Sequence, residues 1–545
     1  MVVPTAENPL PELPAEVLVH IFRHLPASDL RTARLACLRW NAVISDSAML
    51  MKRFELFISQ RLLERFGKEH GLLDQVLLFK GLGGVSFVRT TDNPLEVIGP
   101  FWNQFGAMLQ KVRFKECTLS AQTVLQVLRK TPNLKSFALD ESSSNTMAYY
   151  TPTWASFRLD RLEKLDLHVE DDRFLNLFGQ LAPNLSVLKF DGKWKVSDQL
   201  FKTLLPLIRS CKDTLKKLTL KLIQTSPELL EEIGSIKGLQ LTAISLKNWE
   251  YIEDQTITRF LRYQRSLEQF KCNNECYLES GMLHRLSETQ SKLRCVQIST
   301  QSADLSRFFK HAPNLEHLKL SLGDSQSIDL SHSRCPKMKK MHLTGFNILK
   351  AKLVPFFQQS PNIRHLTLEN CRQPNITELI ETIGELRSLE YLKLFNLSPK
   401  VGKLSTADSS LNQWPHLTTL YLRSCKLAPG TIAALVHRAP NLSTVIVENV
   451  TLQDPDVLSI TKNLPRLRLL TLTHPRDDLC ETALGYLKKY GRGLKRLEFS
   501  IASEEITEKY RDREFAKALP GVDIEMVPRM PGEDGLDWYD DFDEF

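Results

Sequence analysis

The chain has 545 residues, 42% hydrophobic and 25% charged, an ordinary globular balance, and no run of 18 apolar residues, so no membrane-spanning helix is expected. Its formal net charge of +7 is uneven: the last 13 residues hold seven acids and no base, which leaves +14 on the rest. The ten cysteines show no metal-ligand spacing, Cys272 and Cys276 being the closest pair, so no metal or cofactor is expected, and reduced thiols in cytoplasm or nucleus are the expected state.

The opening nine residues lack the basic start and apolar run of a secretory signal. Residues 10 to 50 then read as two short helices. Pro14 suits a first helical turn. Val17, Ile21 and Leu25 fall four apart on one face, with Leu18 and Phe22 beside them. Pro26 ends that helix. Ser28 or Asp29 can cap the next, whose inner face would carry Ala33, Cys37, Trp40 and Ile44. About 40 residues are too few to bury a sufficient core alone. These helices must therefore pack on the following chain as a terminal cap, or on a partner.

The residues of this stretch carry a resemblance. Leu13-Pro14-x-Glu16-Val17-Leu18-x-x-Ile21-Phe22-x-x-Leu25, then Asp29-Leu30, then Cys37-x-x-Trp40, resembles an F-box spanning residues 8–52, with departures at Ala36 and Leu38. The resemblance implies docking on a small Skp-type adaptor. Leu13, Pro14, Val17, Leu18, Ile21, Phe22 and Leu25 would face that adaptor or support the face, while Cys37 and Trp40 would hold the helices together.

Residues 53–105 read as a linkage with one or two degenerate repeats. Phe54–Ile58 and Val76–Phe79 are expected as irregular strands, and Arg61–Phe66 as a helix. Gly81-Leu82-Gly83-Gly84 lacks the lysine-serine ending of a phosphate loop and is expected as a turn.

From Leu109 one spacing, L-x-x-L-x-L, recurs. Leu134/Phe137/Leu139, Leu162/Leu165/Leu167, Leu185/Leu188/Phe190, Leu215/Leu218/Leu220 and Leu315/Leu318/Leu320 fit it. Looser copies start at Leu109, Leu241, Leu267 and Leu293, and later ones at Met338, Ile363, Leu389, Leu417, Leu442, Leu467 and Leu494. These sixteen copies start about 25.7 residues apart on average, inside the 20–29 window of leucine-rich repeats. Strand alternation turns the fourth and sixth positions to a shared interior and the third, fifth and seventh to the open side. Pro-Asn-Leu or Pro-Asn-Ile, as at Pro132, Pro183, Pro313, Pro361 and Pro440, stops a preceding helix. Cys117, Cys371 and Cys425, three residues past a strand leucine or phenylalanine, resemble the cysteine-containing class of these repeats. One unit cannot bury its own apolar face, so units stack. The expected fold is α/β: a curved solenoid over residues 106–500, parallel strands on the concave face and helices on the convex face.

The open positions from Leu215 through Ile363 are rich in bases. Lys217, Lys221, Lys247, Lys271, Lys319 and Lys340 are joined by His317, His342 and His365, with Glu369 as the one acid. Farther along, Tyr391, Phe395 and Tyr421 lie beside Lys393 and Arg423, residue types favoured at binding hot spots. Lysines can also merely solvate an exposed sheet. An acidic or phosphorylated protein segment would fit a basic, partly aromatic groove; nothing beyond charge points to nucleic acid. A carboxyl-terminal cap is expected over 501–530, with a helix over Glu504–Ala518 and a strand over Val522–Val527. The acidic tail, 531–545, carries Trp538, Tyr539, Phe542 and Phe545 and could occupy the groove itself.

Together the two parts resemble an F-box and leucine-rich-repeat protein. That resemblance implies a substrate receptor of a cullin-type ubiquitin ligase, linked to the cullin through its adaptor. No nucleophile-base set, metal cluster or phosphate cradle is legible, so a non-catalytic role is expected. The competing reading is a repeat scaffold for protein or nucleic acid, its amino-terminal helices acting only as a cap.

Overall fold

The structure is a computed structural model. It describes residues 13–69, 71–141, 157–169, 173–192, 198–222, 227–247, 253–278, 280–300, 305–322, 329–347, 350–372, 376–397, 414–473, 481–499, 517 and 519–526. The chain divides into two compact units, Met1–Leu267 and Glu268–Phe545.

The first unit opens with four helices: α1 (Ala15–Phe22), α2 (Ala27–Ala36), α3 (Leu38–Asp46) and α4 (Ala48–Met51). Eight parallel strands follow: β1 (Glu55–Ser59), β2 (Gly84–Val88), β3 (Lys111–Cys117), β4 (Ser136–Glu141), β5 (Lys164–Val169), β6 (Val187–Gly192), β7 (Lys217–Leu222) and β8 (Ala243–Lys247). Their register lines up one buried row, Ile58–Phe87–Phe114–Leu139–Leu167–Phe190–Leu220–Leu246. No member of that row is more than 3% exposed. Phe87 stacks on Phe114 with ring centres 5.1 Å apart, which adds aromatic contact to the area buried.

The second unit continues with β9 (Gln269–Leu278), β10 (Cys295–Thr300), β11 (His317–Leu322), β12 (Lys340–Thr344), β13 (His365–Glu369), β14 (Tyr391–Phe395), β15 (Thr419–Arg423), β16 (Thr444–Glu448), β17 (Leu469–Thr473), β18 (Arg496–Phe499) and β19 (Asp523–Met526). Its matching row runs Cys272–Ile298–Leu320–Leu343–Leu368–Leu394–Leu422–Val447–Leu472–Phe499. Most strands are followed by a helix that packs apolar residues against the back of the ladder. Each of the sixteen repeat copies became one strand, β3 through β18, and every first-position residue from Leu109 to Leu494 is buried. Strands β1, β2 and β19 extend the pattern at its ends.

Two backbone devices repeat along the ladders. After β13, β14, β15 and β16 the next residue takes a left-handed conformation: Asn370, Asn396, Ser424 and Asn449, with φ near 50°. Each donates its backbone N–H to the last strand carbonyl of the following repeat, as Asn370 does to Phe395 at 3.0 Å. The second device is the asparagine of the proline stop. Asn133, Asn184, Asn314, Asn362 and Asn441 each donate to a carbonyl of the preceding repeat, at 2.7–3.2 Å. The stop thus ends a helix and also stitches two units. The cysteines are capping donors: the Cys371 thiol reaches the Leu343 and Glu369 carbonyls, and Cys425 those of Leu394 and Arg423. Burial pushes the Cys371 thiol up to about 12, so it stays protonated and able to donate.

Three local expectations are corrected. Val76–Phe79 is not a strand: Leu72–Leu77 is helical, and the second strand is β2, starting at Gly84. A short apolar run suits either state, and neighbours decide. Gly83 explains the placement of β2. Its N–H donates to the Phe54 carbonyl, and a Cβ there would sit 1.7 Å from the Lys52 carbonyl oxygen. Second, α2 starts at Ala27 after Pro26, with no side-chain cap from Ser28 or Asp29. Third, α2 and α3 are separate helices broken at Cys37. That residue is exposed and caps α3 through its sulfur, which accepts the Trp40 N–H. The expected helix over Glu504–Ala518, apart from Lys517, and the tail residues Trp538, Tyr539, Phe542 and Phe545 lie outside the described residues.

Candidate functional site

The amino-terminal helices form a small core of their own and rest on the first strands. Leu18, Phe22, Leu30 and Ile44 are buried, and Phe22 meets the Trp40 ring edge-on with centres 5.2 Å apart. Arg34 lies over the rings of Phe54 and Phe79, both 5.6 Å away, and Arg31 over Phe57 of β1. Arg39 donates to the Leu13 carbonyl, which ties the start of the chain to α3. Burial lowers the Arg34 pKa, the cost of placing its guanidinium among those rings.

The other side of the same helices is open. Leu13, just before α1, is 48% exposed, and Val17 and Ile21 on α1 are 41% and 44%, each spaced four from the last. Leu35, Leu38, Trp40 and Met49 are exposed too. Of the ten large apolar side chains exposed among the described residues, seven lie between residues 13 and 49, which locates the main unpartnered apolar surface. The apolar stripe of α1 is therefore split: Leu18 and Phe22 point inward, while Leu13, Val17 and Ile21 point out. Pro14 is exposed and Leu25 half-buried.

A second surface lies on the strand side of the second unit. A cavity of about 470 Å³ spans β9 to β14. It gathers seven residues singled out from the sequence: Lys271, His317, Lys319, Lys340, His342, His365 and Tyr391. The His365 ring is stacked on Tyr391 at 5.6 Å. Ladder register sets His317, Lys340, His365 and Tyr391 side by side in one row, and Lys319 beside His342 in the next. Burial, and then the Lys340 charge, hold His317 and His365 below the usual imidazole range, and burial lowers Lys340 itself. An anion seated there would relieve all three.

Lys393, Phe395, Tyr421 and Arg423 form a separate cluster along β14 and β15. Lys393 stands 4.9 Å from the Tyr421 ring centre and Arg423 5.2 Å from that of Phe395. Tyr421 donates its hydroxyl to Glu448 at 2.6 Å, and Arg423 approaches the same carboxylate at 3.7 Å. Lys217, Lys221 and Lys247 belong to the first unit. There Lys221 is paired with Asp191 at 2.8 Å, and His168 bridges Asp140 and Asp191 at 3.0 and 3.1 Å.

The strand face is thus less bare than its third, fifth and seventh positions suggested. His342 and Lys393 are nearly buried, and His342 lies 2.9 Å from Glu369. Burial works against the Glu369 charge, but the hydrogen bond and charge of His342 outweigh it and lower its pKa. Second positions carry a further charged row that the alternation argument missed. Glu316 takes Arg294 and Lys339, each at 2.7 Å, and those bonds hold its carboxyl down at about 2. That position precedes the strand, where the pleat rule does not apply; opposite charges in register at Arg294, Glu316 and Lys339 were the available signal.

The family model described as F-box-like matches residues 10–56. No curated protein sequence gives a match. Among solved structures the chain is similar to an LRR protein of Leptospira interrogans, at 18% identity over 78% of this chain and 98% of that one, with a TM-score of 0.38. It is also similar to a chain of a TLR13–ssRNA13 complex, at 16% identity over 88% and 65%, with a TM-score of 0.44. No described helix is long and apolar enough to cross a membrane. Residues 10–56 are thus an F-box-like domain, and the parallel strand-and-helix units that follow it are leucine-rich repeats.

Proposed function

We propose that this chain is the substrate-recognition subunit of a Skp–cullin–F-box ubiquitin ligase, a binding subunit rather than a catalyst. The observation that carries this reading is the apolar face of Leu13, Val17 and Ile21, displayed on an F-box-like domain whose own core is already filled by Leu18 and Phe22. A face of that kind is stabilised by a partner that buries it. A Skp-type adaptor is the partner, and a cullin scaffold joins through it. The strand-side cavity of the second unit takes the substrate, an acidic or phosphorylated protein segment, through Lys319, Lys340, His317 and the stacked His365–Tyr391 pair.

The test is capture of a Skp-type adaptor by the full-length chain. The Val17→Asp, Ile21→Asp double variant, altered only at exposed positions, should lose capture while melting like the parent. Capture that survives both charges would refute the ligase assignment.

A further inference from the structure

The helix side of the second unit holds a cluster that the binding surfaces do not use. His284 and Glu288 sit four residues apart on the Ser280–Thr289 helix and so share one face. His311 ends the Ser306–His311 helix of the next repeat and brings its ring within 5.5 Å of His284, centre to centre. One ligand atom from each of the three residues falls within 4.8 Å of the others. His284 Nε2 and Glu288 Oε1 are 3.2 Å apart, while His284 Nδ1 is buried without a hydrogen-bond partner among the described residues.

We propose that His284, Glu288 and His311 bind a divalent cation of the zinc class, which clips two successive repeats together on their helix side. A pair joined only by the His284–Glu288 hydrogen bond would not need His311. Three lone-pair donors that converge from two helices are satisfied together by one cation. Tetrahedral zinc with bonds of about 2.1 Å places its ligand atoms about 3.4 Å apart. The His284–Glu288 edge, at 3.2 Å, is already close to that length, and the widest spacing, within 4.8 Å, closes by at most about 1.4 Å. Partly exposed side chains supply such a movement by rotamer adjustment. Two imidazoles and one carboxylate select zinc, cobalt or nickel over calcium or magnesium, whose sites are built from oxygen. Three protein ligands leave a fourth position for water or an incoming group. The clip spans β10, whose flanking helices are the two that carry the ligands.

The experiment uses the full-length chain, freed of metal by chelation and titrated with cobalt(II) by visible absorption and with zinc by calorimetry. One equivalent should bind with a nitrogen-and-oxygen cobalt spectrum, and zinc should raise the melting temperature. His311→Asn and Glu288→Gln should each weaken that equivalent at least tenfold, comparable to losses for perturbed metal shells. His20→Asn in the F-box-like domain, at a histidine whose ring lies 5.6 Å from that of His24 and outside the cluster, should leave it unchanged. Both cluster variants alter residues at least partly open to solvent, so equal melting of all proteins in chelator separates ligand loss from unfolding. A spectrum dominated by thiolate-to-cobalt charge transfer, binding unchanged in both cluster variants, or no cobalt spectrum at all would overturn the proposal.

Discussion

Aliphatic side chains do opposite work in the two parts of this protein. In the repeats, periodic leucines at the fourth and sixth strand positions are almost fully buried, Leu320, Leu368 and Leu422 at 0–1% exposure. In the F-box-like domain, residues equally periodic along the start of the chain and α1 are displayed, Leu13, Val17 and Ile21 at 41–48%. The same hydrophobic effect drives both. In one part the partner surface is the next repeat of the same chain; in the other, under the proposed function, it comes from another molecule. Periodicity shows that a face exists, and only the packing around it shows whether the chain covers that face itself.

The largest effect should come where the two roles meet. Phe22 belongs to the F-box-like domain but is 2% exposed and packed on Trp40. Phe22→Ala should cost about 3–5 kcal/mol locally. Adaptor capture should be lost with it, because the outward face is built on that ring. Hydrogen exchange over α1 to α3 measures the opening directly. Exchange unchanged in the variant would show that the helices are held by something other than their shared core.

Leu368→Ala tests the repeat side. A leucine at 1% exposure, flanked in register by Leu343 and Leu394, should cost about 2–5 kcal/mol on replacement, read from urea unfolding. Adaptor capture should be kept, since the F-box-like domain lies in the other compact unit. The Val17→Asp, Ile21→Asp protein should show the reverse: stability within about 0.5 kcal/mol per exposed site, and capture weakened by at least about 2 kcal/mol, the scale of an interface hot spot. If both variants lost stability and capture alike, the division between covered and displayed leucines would fail.

How much of this was legible in the sequence follows from the same division. The sixteen repeat copies became β3 to β18 because a leucine pair at fixed strand spacing, restarted every 25 residues or so, has one cheap way to be buried. The F-box motif was legible as a pattern, but its orientation was not. Val17 and Ile21 read as one apolar face beside Leu18 and Phe22, and only the positions of Trp40 and Ile44 divide them. The run Val76–Phe79 gave no strand, and its first two residues close the helix Leu72–Leu77, because no repeat spacing anchored it. The strand face was misjudged for a geometric reason: Glu316 and its partners Arg294 and Lys339 stand one residue before each strand, outside the alternation used to assign sides. Nor did the proline stop reveal that its asparagine would bond across repeats.

A third kind of position lies between buried and displayed, and it gives the smallest expected effect. His317 and His365 are half-buried on the strand face, and Lys340 stands between them in register. Burial first, and Lys340 second, hold both imidazoles below the usual range; Glu316 acts the other way at His317 and Glu390 at His365, while Lys339, Arg294 and Arg364 add to the depression. A base with a lowered folded-state pKa takes up fewer protons than the unfolded chain does. Stability therefore rises with pH through the window between the depressed folded value and the ordinary value of about 6.5, and falls as the solution is acidified through it. The His317→Gln, His365→Gln protein should show a flatter slope of unfolding free energy between pH 5 and 7 on the order of a few tenths to 1 kcal/mol. An acidic peptide in the cavity reverses the sign. Its negative charge raises both imidazoles, so proton uptake accompanies binding and affinity should climb as pH falls toward 6. In the double glutamine variant that climb should disappear. A peptide affinity that stays flat with pH in the parent would remove these histidines from the binding surface and leave them as ordinary half-buried members of the ladder.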